Sequence, residues 1–130
     1  MTVEHIVVED APPPRAPYSH ATVAQGPTIF ISGQGPFTPG DELLTGSFEQ
    51  QALRTFENVR LVLEGAGASL EQLVRVGIYL RDMSNFAELN ELYERFFPRP
   101  YPARTCVPVA LPRFDLEVDA VAVLGNMDGR

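Results

Sequence analysis

Arg104 and Cys106 alternate with Thr105 and Val107 toward the end of the chain, and after a short proline-containing interval Glu117 and Asp119 alternate with Val118 and Ala120. Side chains two residues apart share one face of a strand. One strand therefore offers a guanidinium beside a thiol, and the next offers two carboxyl groups. If the two strands pair through the turn at residues 112–115, a planar cation suited to gripping a substrate carboxylate comes beside an acid able to hold or deprotonate a water. The same charged residues, read by composition alone, also make a cross-strand salt bridge. Pro98, Pro100 and Pro102 precede the arginine, each fixing a backbone dihedral. A stiff approach serves a ligand clamp, and it serves equally as a helix stop and a guard on an edge strand.

Ser32-Gly33-Gln34-Gly35 closes another extended stretch, and glycines there let backbone N–H groups approach a ligand; turn geometry alone also accounts for them. It is not a dinucleotide fingerprint. Thr38 stands where the third glycine belongs, and Pro36 and Pro39 follow where a helix should open. Cys106 as a nucleophile needs a base, and His5 and His20 are both distant in sequence, so a small buried hydrophobe is the simpler role for a lone cysteine in a strand. One cysteine and two histidines do not make a zinc set, and no nucleophile elbow is present. Tyr18 follows a proline-rich stretch, and Asn90 stands between Leu89 and Tyr93. Taken alone, the first reads as a packing residue and the second as an exposed helical asparagine.

The elements that must position these residues are legible from period and punctuation. Residues 3–8 predict a first strand, and residues 11–17, with four prolines, an extended connector. Residues 19–24 and 28–32 flank Gln25-Gly26-Pro27 and predict a β-hairpin, followed by a glycine-rich loop over residues 33–46. Ser47 with Gln50 fits a capping box, and Phe48, Ala52, Phe56, Val59 and Leu63 mark a helix running to about Glu64, stopped by Gly65 and Gly67. Residues 73–81 alternate as a strand. Asn85 with Glu88 forms a second capping signature before an apolar stripe of Phe86, Leu89, Tyr93, Phe96 and Phe97, ended by Pro98. Residues 104–111 and 116–124 complete the strands. The order β-β-β-α-β-α-β-β predicts an α+β fold, with about six strands in one sheet and two helices packed on one face. Several strands carry small or apolar residues on both faces, so the uncovered face is expected to meet another subunit.

Composition bounds the rest. The 130 residues are one domain's worth of chain, and 45% hydrophobic with 21% charged is globular rather than disordered. Ten basic against 17 acidic side chains give a net charge of −7, which opposes a phosphate backbone and makes nucleic acid a poor partner. The acidic start lacks the pattern of a secretory signal, no apolar run is long enough to span a membrane, and one cysteine suits a reducing compartment, so a cytosolic location is expected.

With these residues assembled, the chain resembles the RidA/YjgF family, also called reactive intermediate deaminase or L-PSP proteins. The likeness rests on Ala16-Pro17-Tyr18-Ser19, Ile31-Ser32-Gly33-Gln34, Asn58-Val59, residues 76–82 and the run from Asn90 to Phe97. Its most specific parts are Tyr101-Pro102-Ala103-Arg104-Thr105-Cys106-Val107 and Leu116-Glu117-Val118-Asp119-Ala120-Val121-Ala122. The resemblance implies a single chorismate-mutase-like domain over residues 1–130, a homotrimer around a central barrel, and clefts between subunits. It implies cofactor-free, metal-free hydrolysis of 2-imino acids to 2-keto acids and ammonia. By that likeness Arg104 grips the carboxylate and Glu117 positions the water, while Tyr18, Ser32, Gly33, Asn90 and the Cys106 backbone line the pocket. The interval between Cys106 and Glu117 is shorter than in the best-known deaminases, which leaves Asp119 as the other acid. Non-catalytic metabolite binding by the same trimer, or action on another enamine or imine, is the alternative; an endoribonuclease, as some relatives have been described, fits poorly with the net charge.

Overall fold

The computed structural model describes residues 3–125. Six strands and two α-helices follow in chain order as β1 (Val3–Ile6), β2 (Ala21–Ala24), β3 (Thr28–Gln34), α1 (Phe48–Gly65), β4 (Leu73–Leu80), α2 (Phe86–Phe96), β5 (Ala103–Pro108) and β6 (Leu116–Val123). The expected α+β order holds, with two helices packed on a mixed sheet. A single six-stranded sheet does not form. β1 and β2 make a two-stranded sheet, and the main sheet has four strands in the order β3-β6-β4-β5.

Two expected pairings are replaced. β2 and β3 do turn at Gly26, whose φ of 134° requires glycine, but β2 pairs with β1 and β3 with β6. Pro27 has no N–H for a hairpin ladder, and its carbonyl instead accepts from Leu124 N–H at 2.9 Å, which sets the start of β3 alongside β6. The two-stranded sheet stays attached where Thr22 Oγ1 donates to the Val74 carbonyl at 2.7 Å. β5 and β6 do not pair either, because β4 lies between them, parallel to β5 and antiparallel to β6. The reason is the crossover: a parallel neighbour must be reached through an intervening element, here α2, which lays β5 on one edge of β4 and leaves the other edge to β6.

α1 starts as its sequence dictates. Ser47 Oγ accepts from Gln50 N–H, and the Gln50 side chain accepts from Ser47 N–H at 2.8 Å, closing the capping box. Past its end Gly67 takes a φ of 91°. The signature at Asn85 is not used, since a 3₁₀ turn at Met83–Asn85 runs directly into α2 and Asp82 caps that turn by accepting from Ser84 N–H at 2.9 Å.

Alternation along β4 and β6 sends Val76, Ile78, Leu80, Leu116, Val118, Ala120 and Ala122 to one face, where they bury against Ala52, Phe56, Val59 and Leu63 of α1 and Leu89, Leu92 and Tyr93 of α2. The other face carries Arg75, Gly77, Tyr79, Glu117, Asp119 and Val121, with Phe30 of β3 77% exposed beside them. No helix covers it. Asp119 is drawn over Gly77, where a Cβ would meet its Oδ1 at 2.3 Å, and its Oδ2 accepts from the Tyr79 hydroxyl at 3.0 Å.

Phe56 is fully buried and ringed by Tyr93, Phe96 and Phe97 at centroid distances of 5.0 to 6.1 Å. Phe56→Ala is expected to lower unfolding free energy by about 3–5 kcal/mol, read as a lower urea midpoint with an unchanged slope.

Candidate functional site

Arg104 lies on the edge strand β5 in register with Val76, which is itself in register with the buried Ala120, so its side chain is on the helix-covered face. There it meets α2. Phe86, Asn90 and Tyr93 follow at i, i+4 and i+7 and form one stripe of that helix. Asn90 Oδ1 accepts from Arg104 Nη2 at 2.7 Å, and the guanidinium carbon stands 4.9 Å from the Tyr93 ring centroid and 5.9 Å from that of Phe86. Nη1 is buried and has no partner. Among the described residues no carboxylate pairs with Arg104; the ion pairs are Arg60 with Glu57 and Glu64, and Arg81 with Asp115. A cavity of about 300 Å³ opens beside it, lined by Tyr18, Phe86, Arg104, Thr105 and Cys106.

The other expected residues lie elsewhere. Glu117 is in register with Tyr79, one step out of phase with the buried row, which places it on the open face of the sheet. Gly33 is there too: a Cβ on it would meet Glu117 Oε2 at 2.2 Å, so glycine is what lets the carboxylate lie against β3. Ser32 and Gly33 fall in the irregularity between Ile31 and Gln34, and the Ser32 carbonyl accepts from Gln34 Nε2 at 3.1 Å. One chain thus unites Tyr18, Asn90, Arg104 and Cys106, and separately unites Ser32, Gly33 and Glu117. A salt bridge between Arg104 and Glu117 within the chain is excluded by the sheet between them. No three His, Cys, Asp or Glu side chains among the described residues converge as metal ligands, and no helix there is long and apolar enough to cross a membrane.

A family profile described as endoribonuclease L-PSP matches residues 8–124. The chain belongs to the L-PSP (Rid/YjgF) family. It is 42% identical to Protein HMF1 of Saccharomyces cerevisiae over 93% of this chain and 95% of that one. It is 37% identical to a 2-iminobutanoate/2-iminopropanoate deaminase of Dermatophagoides farinae, over 88% of this chain and 91% of the relative. A crystal structure of a Rid-family protein of unknown function from Yersinia pestis superposes with a TM-score of 0.81 at 28% identity, covering 95% of this chain and all of that one.

In this L-PSP protein, sequence reasoning missed Phe86, Tyr93 and Thr105 as neighbours of the arginine. The available signal was Asn90, a polar residue on the same helical stripe as two aromatic rings. Burial pulls the Arg104 pKa below the ordinary arginine value, yet a guanidinium stays protonated throughout the physiological range. Burial pushes the Cys106 thiol up, with the Arg104 charge opposing it. The two histidines lie elsewhere: His5 is on β1, and His20 bonds Val8 and Pro12. A raised thiol with no base beside it is not an activated nucleophile. Iodoacetamide is therefore expected to alkylate Cys106 more slowly than a free cysteine at neutral pH. The rate should climb only at pH values above the usual thiol range, which mass spectrometry of timed samples measures.

Proposed function

We propose that the protein is a cofactor-free deaminase that hydrolyses reactive 2-imino acids to 2-keto acids and ammonia, acting in the cytosol as a homotrimer with its sites between subunits. The observation that carries this reading is the Arg104 guanidinium, held with Nη1 buried and unpartnered beside a cavity of about 300 Å³. A cation partly withdrawn from water and left without a counter-charge favours an incoming anion, and a planar fork favours a carboxylate. The deaminase named among the relatives supports the same substrate class.

In this reading Arg104 grips the carboxylate, with the Cys106 backbone beside it, and Tyr18, Phe86 and Asn90 hold the ligand and the guanidinium in place. The imine carbon is already electrophilic, so holding it near a water supplies much of the catalysis. Water adds through its oxygen to that carbon, the nitrogen gains protons, and ammonia leaves as the carbonyl forms. One acid/base group must take a proton from the water and return one to the leaving nitrogen. Glu117 is assigned that role. Because it sits on the far face of its own sheet from Arg104, the glutamate that meets a given arginine is that of a neighbouring subunit, arriving with its adjacent Ser32 and Gly33. The open face with exposed Phe30 supports such a contact. Asp119 Oδ2 accepts from the Tyr79 hydroxyl and Oδ1 is buried, which favours Glu117 as the acid. A net charge of −7 opposes the RNA substrate that the family's descriptive name suggests.

Added to a pyridoxal-phosphate dehydratase acting on serine or threonine, the protein is expected to accelerate keto-acid release. Arg104→Ala should abolish the acceleration, and Glu117→Gln should lower it by about 10²–10⁴-fold while 2-keto acid binding persists. Binding of 2-keto acids with no acceleration for any imino acid tested identifies instead a carboxylate-binding protein without turnover.

A further inference from the structure

Tyr18, Ser19 and His20 are consecutive, and of the three only Tyr18 lines the cavity. Ser19 is 5% exposed, an uncommon burial for serine. Both of its donors reach the same place: the hydroxyl donates to the Tyr101 carbonyl at 2.5 Å and the N–H to the Pro102 carbonyl at 3.2 Å. Those carbonyls belong to the extended run into β5, with Pro102 two residues before Arg104, and Pro100 and Pro102 stiffen that run. A tie to it is a tie to the arginine's own approach. His20 binds in the opposite direction. Its Nδ1 accepts from Val8 N–H at 2.8 Å, which assigns the ring proton to Nε2, and Nε2 donates to the Pro12 carbonyl at 2.5 Å. Between Val8 and Tyr18 the remaining hydrogen bonds are local, from Ala11 N–H to Val8, from Arg15 N–H to the Tyr18 hydroxyl and from Tyr18 N–H to Ala16. The four prolines of that stretch contribute no N–H donors.

We propose that Ser19 and His20 are positioning residues for ligand recognition. Ser19 fixes the spacing between the Tyr18 wall and the Arg104 grip, and His20 closes the proline-rich strap that delivers Tyr18 to the cavity. Neither touches the ligand. The inference rests on the reading of the cavity as a carboxylate site, and it adds to that reading two residues that act through Tyr18.

The test is binding of 2-oxobutanoate to the intact protein, followed by calorimetry, across Ser19→Ala, His20→Ala, His20→Gln, Tyr18→Ala and the doubles that combine Tyr18→Ala with Ser19→Ala or His20→Ala. Ser19→Ala and His20→Ala should each weaken binding about tenfold. His20→Gln, whose amide keeps one acceptor and one donor, should recover most of the loss. In the Tyr18→Ala background either alanine change should add less than about twofold, the non-additivity of residues acting through one another. Undiminished binding in the single variants, or equal losses in both backgrounds, overturns the positioning role and leaves the cavity reading standing. If Ser19→Ala does not fold, the His20 pair decides the matter alone. Wild-type protein that binds no 2-oxobutanoate overturns the cavity reading and this inference together.

Discussion

A guanidinium partly withdrawn from water has to be compensated, and in this protein the compensation comes from neutral groups. One hydrogen bond donated to an asparagine oxygen and two aromatic faces hold Arg104 while one of its nitrogens stays buried without a partner. An acid in that place would satisfy the charge and end its capacity to take an external anion. An aromatic face stabilises the cation without neutralising it. The cation stays uncancelled because α2 presents Phe86, Asn90 and Tyr93 toward β5 and no carboxyl group, although Glu88, Glu91 and Glu94 lie on the same helix.

The separation of that cation from Glu117 has its origin in strand order. With β4 between β5 and β6, the residues flanking it are sorted by parity. Arg104 falls in the row of Val76 and Ala120, whereas Glu117 falls in the row of Tyr79. Had β5 and β6 been neighbours with their charged residues in phase, the two groups would have cancelled within one chain. The crossover through α2 prevents this, and glycines complete the arrangement by giving acids room on the open face, Gly33 under Glu117 and Gly77 under Asp119.

Much of the framework is legible in the sequence. The α1 boundary follows from a capping box of local residues, Ser47 and Gln50, and the strands β4 and β6 follow from a two-residue period that needs no knowledge of partners. Strand pairing, which is non-local, is less legible. The hairpin expected around Gly26 did not form because the carbonyl of Pro27 is taken by Leu124, nearly a chain length away. Asn85 has the right residue type for a cap, but it is the last residue of a 3₁₀ turn that Asp82 caps and that runs directly into α2. Likeness to a family groups Tyr18, Ser32, Gly33, Asn90, Arg104, Cys106 and Glu117, of which one chain brings only Tyr18, Asn90, Arg104 and Cys106 together, while Phe86 and Tyr93 read from the sequence as packing residues. Aromatic rings in a helix signal packing equally well whether or not a cation lies against them.

α2 has two duties on neighbouring faces. Leu89 and Leu92 seal the interior while Phe86, Asn90 and Tyr93 cradle the arginine, and Tyr93 belongs to both sets. A change that eases the interior by shifting or rotating this helix also re-aims the charge, so the chain has little freedom to drift toward a sturdier scaffold and keep the same chemical appetite. The strap side of the hollow carries no such double duty, and Tyr18 can vary there without disturbing the helix.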